Sequence, residues 1–209
     1  MEDWLTETRT SYDTVAESYA TLLHDLLADS PHERGALNTF AERTGRGPVG
    51  DIGCGPGRIT AYLHDRGMRA FGIDLSPAMI RTARRTHPHL PFAVGSMTHL
   101  PLADASTAGL VAWYSLIHVP DRELDGVLTD LRRVLRTGGR LLVAFHAGTG
   151  SSLKTEGYGG HPMRVRVHRR EPRELADRLH AAGFAVDART TVTSPESRNG
   201  AILSARRTG

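Results

Sequence analysis

The stretch from Val49 to Arg58 reads VGDIGCGPGR and combines a short apolar run, one aspartate and three glycines. Gly53, Gly55 and Gly57 are spaced two residues apart, and Asp51 stands two residues before the first of them. Because glycine loses more conformational entropy on folding than other residues, such a cluster indicates a strained turn or a ligand held against bare backbone. The pattern predicts a strand that ends in a ligand-binding loop.

On both sides of this stretch, short apolar runs alternate with helical patterns. The apolar runs predict seven strands, at residues 49–52, 70–74, 92–95, 110–114, 141–145, 184–192 and 201–206. The intervening helices are predicted at residues 59–66, 77–86, 121–135 and 171–182. Strands separated by helices need crossover connections, which favours a mostly parallel sheet covered on both faces. The last two strands follow each other directly and are predicted to pair antiparallel.

Residues 8–43 are predicted to be helical, because apolar residues recur there at helix spacing. The sequence DSPHE divides this region into two helices, with Ser30 as the predicted N-cap of the second. We therefore expect an α/β fold, Rossmann-like and doubly wound, with a mostly parallel seven-stranded sheet and a C-terminal antiparallel hairpin. Within this one domain, residues 1–45 are the expected N-terminal helical cover and residues 46–209 the ligand-binding part. The glycine-rich segment 146–162 is predicted to be a mobile loop.

The composition limits the classes of partner. A length of 209 residues with 39% hydrophobic content suffices for one domain with a core. The formal charge of +3 is scattered, which argues against a nucleic-acid surface. One cysteine forms neither an internal disulfide nor a cysteine metal cage, and the eleven histidines are dispersed, so no metal site is predicted. No apolar run approaches the ~18 residues of a membrane span. The first residues lack the pattern of a signal peptide, so we expect a cytoplasmic protein.

The glycine loop lies between the first strand and the first helix, where open parallel sheets bind ligands. A dinucleotide fingerprint, G-x-G-x-x-G, would need its third glycine at Arg58, whereas the actual pattern is acid-x-G-x-G-x-G. Asp51 would repel a pyrophosphate and attract the cationic end of an amino acid. Asp74 closes the second predicted strand and is placed to accept hydrogen bonds from both hydroxyls of a ribose, a device that NAD enzymes share. The pattern favours S-adenosylmethionine over a dinucleotide.

The sequence resembles the class I S-adenosylmethionine-dependent methyltransferases, in particular the small-molecule branch that includes ubiquinone/menaquinone-biosynthesis-type enzymes. The segments that carry the resemblance are SYDTVAESYA (11–20), DIGCGPGR (51–58), GIDLSPAMI (72–80), LRRVLRTGGRLLVAF (131–145) and ELADRLHAAGF (174–184). The resemblance implies S-adenosylmethionine as the cofactor and methyl transfer to a small-molecule acceptor. It covers nearly the whole chain, from about residue 11 to residue 206.

The resemblance also implies a set of cofactor-binding residues. Tyr12 and Tyr19, which share one helix face, would cover the methionine end, and Cys54 would contact the cofactor through its backbone. Ser96 stands where the family usually has an acid that contacts the adenine amine, so adenine binding is expected to depend on backbone and apolar contacts around Met97. The complete predicted set is Tyr12, Tyr19, Asp51, Gly53, Cys54, Gly55, Gly57, Arg58, Asp74, Leu75, Met79, Ser96, Met97 and Tyr114.

Methyl transfer from a sulfonium is an in-line displacement, to which alignment alone can contribute about 7–11 kcal/mol. We therefore expect catalysis mainly by proximity, with His118, which follows the fourth predicted strand, as the one candidate general base. An alternative role for His118 is a packing histidine held in a turn by the carboxylate of Asp121. Tyr114 is expected to line the same edge of the sheet, at the carboxyl ends of its strands. His146 is a weaker candidate base.

Other functions stay open or are disfavoured at this stage. Amino-methylating DNA enzymes usually carry an Asn- or Asp-Pro-Pro-aromatic run after the fourth strand, where this chain reads WYSLIHVP (113–120). An NAD-dependent reductase is disfavoured by Arg58 and by the lack of a Tyr-x-x-x-Lys pair. A cofactor-binding scaffold without turnover and a nucleic-acid methyltransferase remain the alternatives to small-molecule methyl transfer.

Overall fold

The glycine-rich stretch follows the first strand of a seven-stranded sheet in the computed structural model, which describes residues 3–193 and 199–209. The strands of the described chain are β1 Pro48–Ile52, β2 Arg69–Asp74, β3 Phe92–Val94, β4 Thr107–Trp113, β5 Leu135–His146, β6 Ser151–Gly157, β7 His161–His168, β8 Phe184–Val192 and β9 Gly200–Arg207. The sheet order is β3-β2-β1-β4-β5-β9-β8. Strands β1 to β5 pair in parallel, and β9 is antiparallel to both β5 and β8. The predicted fold class is confirmed.

Helices cover the sheet and begin close to the predicted residues. They are α1 Asp3–Leu22, α2 Pro31–Arg43, α3 Arg58–His64, α4 Pro77–Thr86, α5 Asp121–Val134 and α6 Pro172–Ala181. Helix α5 shows why they pack as they do, since Leu124, Val127, Leu128 and Leu131 recur on one face and are fully buried. Ser30 is the N-cap residue of α2 as predicted, but its hydroxyl donates to the carbonyl of Leu26, four residues earlier, and makes no capping hydrogen bond.

The predicted mobile loop at residues 146–162 is wrong, because most of it belongs to an antiparallel hairpin of β6 and β7. Along β7 the side chains alternate, and Met163 and Val165 are buried while their neighbours are exposed or half-buried. Both pack in a cluster with Val15 and Ala16 of α1. Alternation of period two is a strand signal, but it lies just after the predicted loop, whereas β6 inside that loop has no buried residue and several glycines lie at the turn and before the hairpin.

The N-terminal helix α1 lies between α4 and the hairpin. The Asp13 carboxylate accepts hydrogen bonds from the Ser76 hydroxyl, at 2.6 Å, and from the Ala78 N–H, at 2.9 Å, at the start of α4. On the other side, the N–H of Arg164 donates to the Ser11 hydroxyl at 2.8 Å. The helix is therefore attached on both sides, as a cover over the carboxyl ends of the central strands.

Of the predictions about chain organisation, one is confirmed in part and another is not tested. The predicted C-terminal hairpin is confirmed by the pairing of β8 with β9, but the connecting segment 194–200 falls largely on residues 194–198, outside the described residues. Within residues 3–193 and 199–209, no helix has the length and apolar character needed to cross a membrane. The division at residue 45 stays a prediction.

Gly53 offers a test of why the loop needs glycine. Its φ is +78°, and a Cβ built there would lie 2.3 Å from the Ser115 Cβ. Gly53→Ala should lower the free energy of unfolding by about 2–5 kcal/mol, because a left-handed backbone costs about 1–2 kcal/mol and overpacking about 1–3 kcal/mol. Urea unfolding monitored by circular dichroism measures this.

The matched control is Gly126→Ala in α5, where a Cβ meets no atom within 4 Å. Alanine is the better helix former by about 0.8–1 kcal/mol, so this variant should be slightly more stable than the native chain. Equal effects of the two substitutions would contradict the steric explanation for Gly53.

Candidate functional site

The carboxyl ends of β1, β2, β3 and β4 open into one cleft, and α1 covers it. Most of the predicted site residues line this cleft: Tyr12, Tyr19, Gly53, Gly55, Asp74, Leu75, Met79, Ser96, Met97, Tyr114 and His118. Four predicted residues lie outside its lining: Asp51, Cys54, Gly57 and Arg58. The structure thus brings together residues that are distributed over more than a hundred positions of the sequence.

The first turns of α1 contribute lining residues that the sequence analysis did not single out. Leu5, Thr8 and Arg9 face the cleft, together with Trp4. Positions 5, 8, 9 and 12 recur at helix spacing, so the face defined by Tyr12 and Tyr19 continues toward the N-terminus. Extending that pattern backward from Tyr12 would have found them.

The glycine loop is held by the end of the neighbouring strand. The N–H groups of Gly53 and Cys54 both donate to the Ile73 carbonyl, at 2.7 and 3.1 Å. Gly57 has φ +88°, and a Cβ there would lie 2.7 Å from the Phe92 ring, so this glycine serves packing against β3. Burial raises the pKa of the Cys54 thiol well above its ordinary value, which agrees with a packing role.

Asp74, at the end of β2, faces the cleft. One carboxylate oxygen accepts the Gly55 N–H at 2.7 Å, and the other accepts the Ser76 N–H at 2.8 Å. Burial raises the pKa of Asp74 to about 6, although these two backbone bonds act in the opposite direction. Because each carboxylate oxygen accepts more than one hydrogen bond, both retain capacity for a ligand hydroxyl.

Asp51 lies outside the cleft lining, with 1% of its surface exposed. One carboxylate oxygen accepts the Thr60 hydroxyl at 2.7 Å, and the other, Oδ1, is buried without a hydrogen-bond partner. Burial raises the pKa of Asp51 to about 7, and the neighbouring Asp74 carboxylate adds to this shift. The predicted attraction of this acid for a cationic ligand group stays a prediction.

His118 lies in a short 3₁₀ turn, Leu116–His118, directly after β4. Its Nδ1 is 3.0 Å from the Arg166 carbonyl of β7, and its Nε2 is 2.7 Å from the Tyr12 hydroxyl. Burial lowers the pKa of His118 to about 4, so the imidazole is neutral near pH 7. Tyr12 therefore contacts a candidate catalytic group as well as covering the cleft.

The turn that carries His118 is held by Arg170, of which 4% is exposed. Its guanidinium donates to the Leu116 carbonyl at 2.9 Å and to the Val119 carbonyl. Asp121, which we considered as the partner of His118, instead pairs with this guanidinium at 3.0 Å. The predicted hold of Asp121 on His118 is therefore wrong, and β7 and the residues after it hold the turn.

Tyr114 adopts a left-handed backbone conformation, with φ +50°, directly after β4. Its hydroxyl donates to the Glu33 carboxylate of α2 at 2.9 Å, while the residue lines the cleft as expected. His146 lies with its ring centroid 5.2 Å from that of Tyr114 but is not part of the cleft lining. Of the two histidines considered as bases, His118 alone lines the cleft.

Residues 49–139 match the family described as methyltransferase domain. An O-methyltransferase of Aspergillus nomiae, rstn1, is 30% identical over 169 residues, which cover 67% of this chain and 73% of that protein. This chain belongs to the class I S-adenosylmethionine-dependent methyltransferases. The family predicted from the glycine loop and its flanking segments is confirmed.

Two further comparisons agree with this family and its fold. A demethylmenaquinone methyltransferase of Beutenbergia cavernae is 34% identical over 136 residues, which cover 64% of this chain but 55% of that relative, so the match spans about half of its length. Magnesium protoporphyrin IX methyltransferase from Synechocystis superposes with a TM-score of 0.76 over 100% of this chain and 99% of its own, at 16% identity. At that identity the likeness shows the fold alone.

Asp51 generates a prediction for stability against pH. Its folded pKa of about 7 exceeds its ordinary value of 3.8, so the protonated carboxyl stabilises the fold below about pH 4, and this contribution is lost as the pH rises through 7. The difference corresponds to about 4 kcal/mol at most. Asp51→Asn should therefore match the native chain near pH 4 and be more stable at pH 8, measured by urea unfolding at each pH.

The control is Asp177→Asn, at an exposed position of α6. It should leave the pH dependence unchanged, and some dependence should persist in Asp51→Asn because the pKa of Asp74 is raised as well. An unchanged curve for Asp51→Asn would show that Asp51 is not the titrating group.

Proposed function

We propose that this chain transfers a methyl group from S-adenosylmethionine to a small-molecule acceptor, mainly by holding the reactants in line. The observation that carries the proposal is the cleft itself, in which a glycine loop and the Asp74 carboxylate meet at the ends of β1 and β2. Open parallel sheets bind ligands at this edge. Membership of the methyltransferase family supports the same activity.

The sheet order supports one direction for the cofactor. The residues that line the cleft follow the order of the strands across the sheet. They are Ser96 and Met97 after β3, Asp74 at the end of β2, Gly53 after β1 and His118 after β4. The adenine would lie by β3, the ribose hydroxyls at Asp74, and the amino-acid part at the glycine loop. Above about pH 7, where Asp51 is ionised, its unpartnered Oδ1 adds negative charge near that loop and favours the cationic amino group.

When bound, the cofactor supplies an activated sulfonium methyl, and the chain supplies alignment. The acceptor would lie beyond the end of β4, between that strand and α1, where Trp4, Leu5 and Val119 contribute apolar surface. Among the described residues that line the cleft, Arg9 is the one lysine or arginine, and it is exposed. A neutral or mildly polar acceptor fits this lining. The cytoplasmic location stays a prediction.

Calorimetry with S-adenosylhomocysteine and NAD tests the choice of cofactor. We expect S-adenosylhomocysteine to bind more tightly at pH 8, because the ionised Asp51 adds negative charge near the loop, where the dinucleotide would place its pyrophosphate. Tighter binding of NAD would overturn the assignment.

Asp74→Ala should weaken binding of S-adenosylhomocysteine by at least about tenfold at pH 8, since each hydrogen bond to a charged group contributes about 1.5–3 kcal/mol. Asp74→Asn keeps an acceptor for one backbone N–H and separates loss of charge from loss of loop structure. In the native chain, affinity should also fall below about pH 6, where Asp74 becomes protonated.

The control for these variants is Asp177→Ala, an exposed acid outside the cleft. It should bind the ligand as the native chain does. Full affinity in a folded Asp74→Ala variant would place the ribose elsewhere.

A further inference from the structure

The hydrogen bond between Tyr12 and His118 joins two elements that are 106 residues apart. The oxygen and Nε2 are 2.7 Å apart, and the ring centroids are 5.2 Å apart in an edge arrangement. Both residues line the cleft, at the end where β4 faces α1. The contact is therefore at the place where the acceptor would lie.

The direction of this hydrogen bond follows from the other ring nitrogen of His118. The Arg166 carbonyl, 3.0 Å from Nδ1, is an acceptor only, so Nδ1 carries the hydrogen. In a neutral imidazole Nε2 then has the lone pair and accepts from the Tyr12 hydroxyl. Consequently the Tyr12 oxygen donates its hydrogen to His118, while its lone pairs stay available to the neighbouring Tyr158 hydroxyl, which also interacts with Tyr12, and to a donor in the cleft.

We propose that Tyr12 takes the proton of a hydroxyl acceptor and passes its own proton to His118, so that the chain is an O-methyltransferase for neutral hydroxyl groups. The inference rests on the proposed methyl transfer and adds its acceptor class and a catalytic residue. The new bond joins the acceptor oxygen to the methyl carbon, and the carbon–sulfur bond breaks. The hydroxyl proton moves to the Tyr12 oxygen as the Tyr12 proton moves to Nε2.

The charges balance in this step. One positive charge disappears at the sulfonium and one appears at the His118 imidazolium, so the buried site holds the same net charge before and after transfer. An oxygen that is gaining a methyl group becomes strongly acidic, and even a weakly basic imidazole can take its proton. The imidazolium then loses its proton to solvent through Tyr12 when the product leaves.

Several charged or titratable groups surround His118 and bear on its titration. His146 of β5, Lys154 of β6 and His168 of β7 all disfavour the protonated ring, while burial is the larger cause of its low pKa. From α1, Tyr12 faces the ring directly. These groups keep the resting imidazole neutral. A neutral ring is required for the proton relay, in which the proton moves from the acceptor to Tyr12 and from Tyr12 to His118.

Phenols of graded acidity test the proposal. At pH 8 phenol itself is protonated, whereas 4-nitrophenol is largely ionised. Tyr12→Phe should slow single-turnover methylation of phenol by ~10²–10⁴, the usual contribution of a positioned acid or base, and that of 4-nitrophenol by only a few-fold. The double variant with His118→Asn should lose no more than either single variant, because the two act as one unit.

Tyr62→Phe is the matched control, since the Tyr62 hydroxyl contacts Asn38 and lies outside the cleft. It should methylate both phenols at the native rate. If Tyr12→Phe lowered the methylation rates of the two phenols equally, Tyr12 would have a packing role only, and the relay would be overturned. Methylation of amines or carbon acids, with no hydroxyl acceptor, would overturn it as well.

Nitrogen NMR of the histidine rings tests the relay independently of any acceptor. With S-adenosylhomocysteine bound, His118 should show a protonated Nδ1 and a hydrogen-bonded, unprotonated Nε2, and Tyr12→Phe should shift the Nε2 resonance alone. A protonated Nε2 in the neutral ring would exclude the relay. Calorimetry on the same samples separates the two proposals, because failure to bind S-adenosylhomocysteine would instead contradict the proposed function.

Discussion

The hydrogen bond from the Gly55 N–H to the Asp74 carboxylate joins the ends of the two strands on which the whole cleft depends. The N–H groups of Gly53 and Cys54 already bond the loop to the Ile73 carbonyl, and the Gly55 bond adds one of the two backbone donors that hold the orientation of the carboxylate. Withdrawing a carboxylate from water is costly, and the raised pKa of the half-buried Asp74 reflects that cost. The charge is kept where ligand hydroxyls would reach it.

Helix α1 converts this strand-end edge into an enclosed site. Its contacts at Asp13 with the start of α4, and at Ser11 with β7, are polar and directional, so they set the rotation of the helix about its axis. That rotation places Tyr12 and Tyr19 over the cleft. Because Asp13 satisfies the Ala78 N–H at the first turn of α4, one side chain both orients the cover and caps a helix.

Contacts from β7, and from Arg170 just after it, determine the tautomer and the position of His118. The Arg166 carbonyl selects the tautomer of His118, and Arg170 holds the turn in which that histidine lies. A histidine buried in this way is a neutral acceptor, ready for a proton but uncharged beside a cationic cofactor. Methyl transfer by alignment needs no such group, whereas an acceptor that must lose a proton would use it.

Local sequence determined the seven strands of the main sheet, most helices, the glycine loop and the position of Asp74, because hydrophobic periodicity and backbone strain are properties of neighbouring residues. The family followed from the same motifs. Only the tertiary structure decided that a carbonyl of β7 reaches His118, that Asp121 pairs with Arg170, and that Tyr12 meets a residue 106 positions away. Those contacts depend on how separate elements pack. No local pattern contains them, because hydrogen bonds form between groups that are close in space, whatever their separation in the sequence.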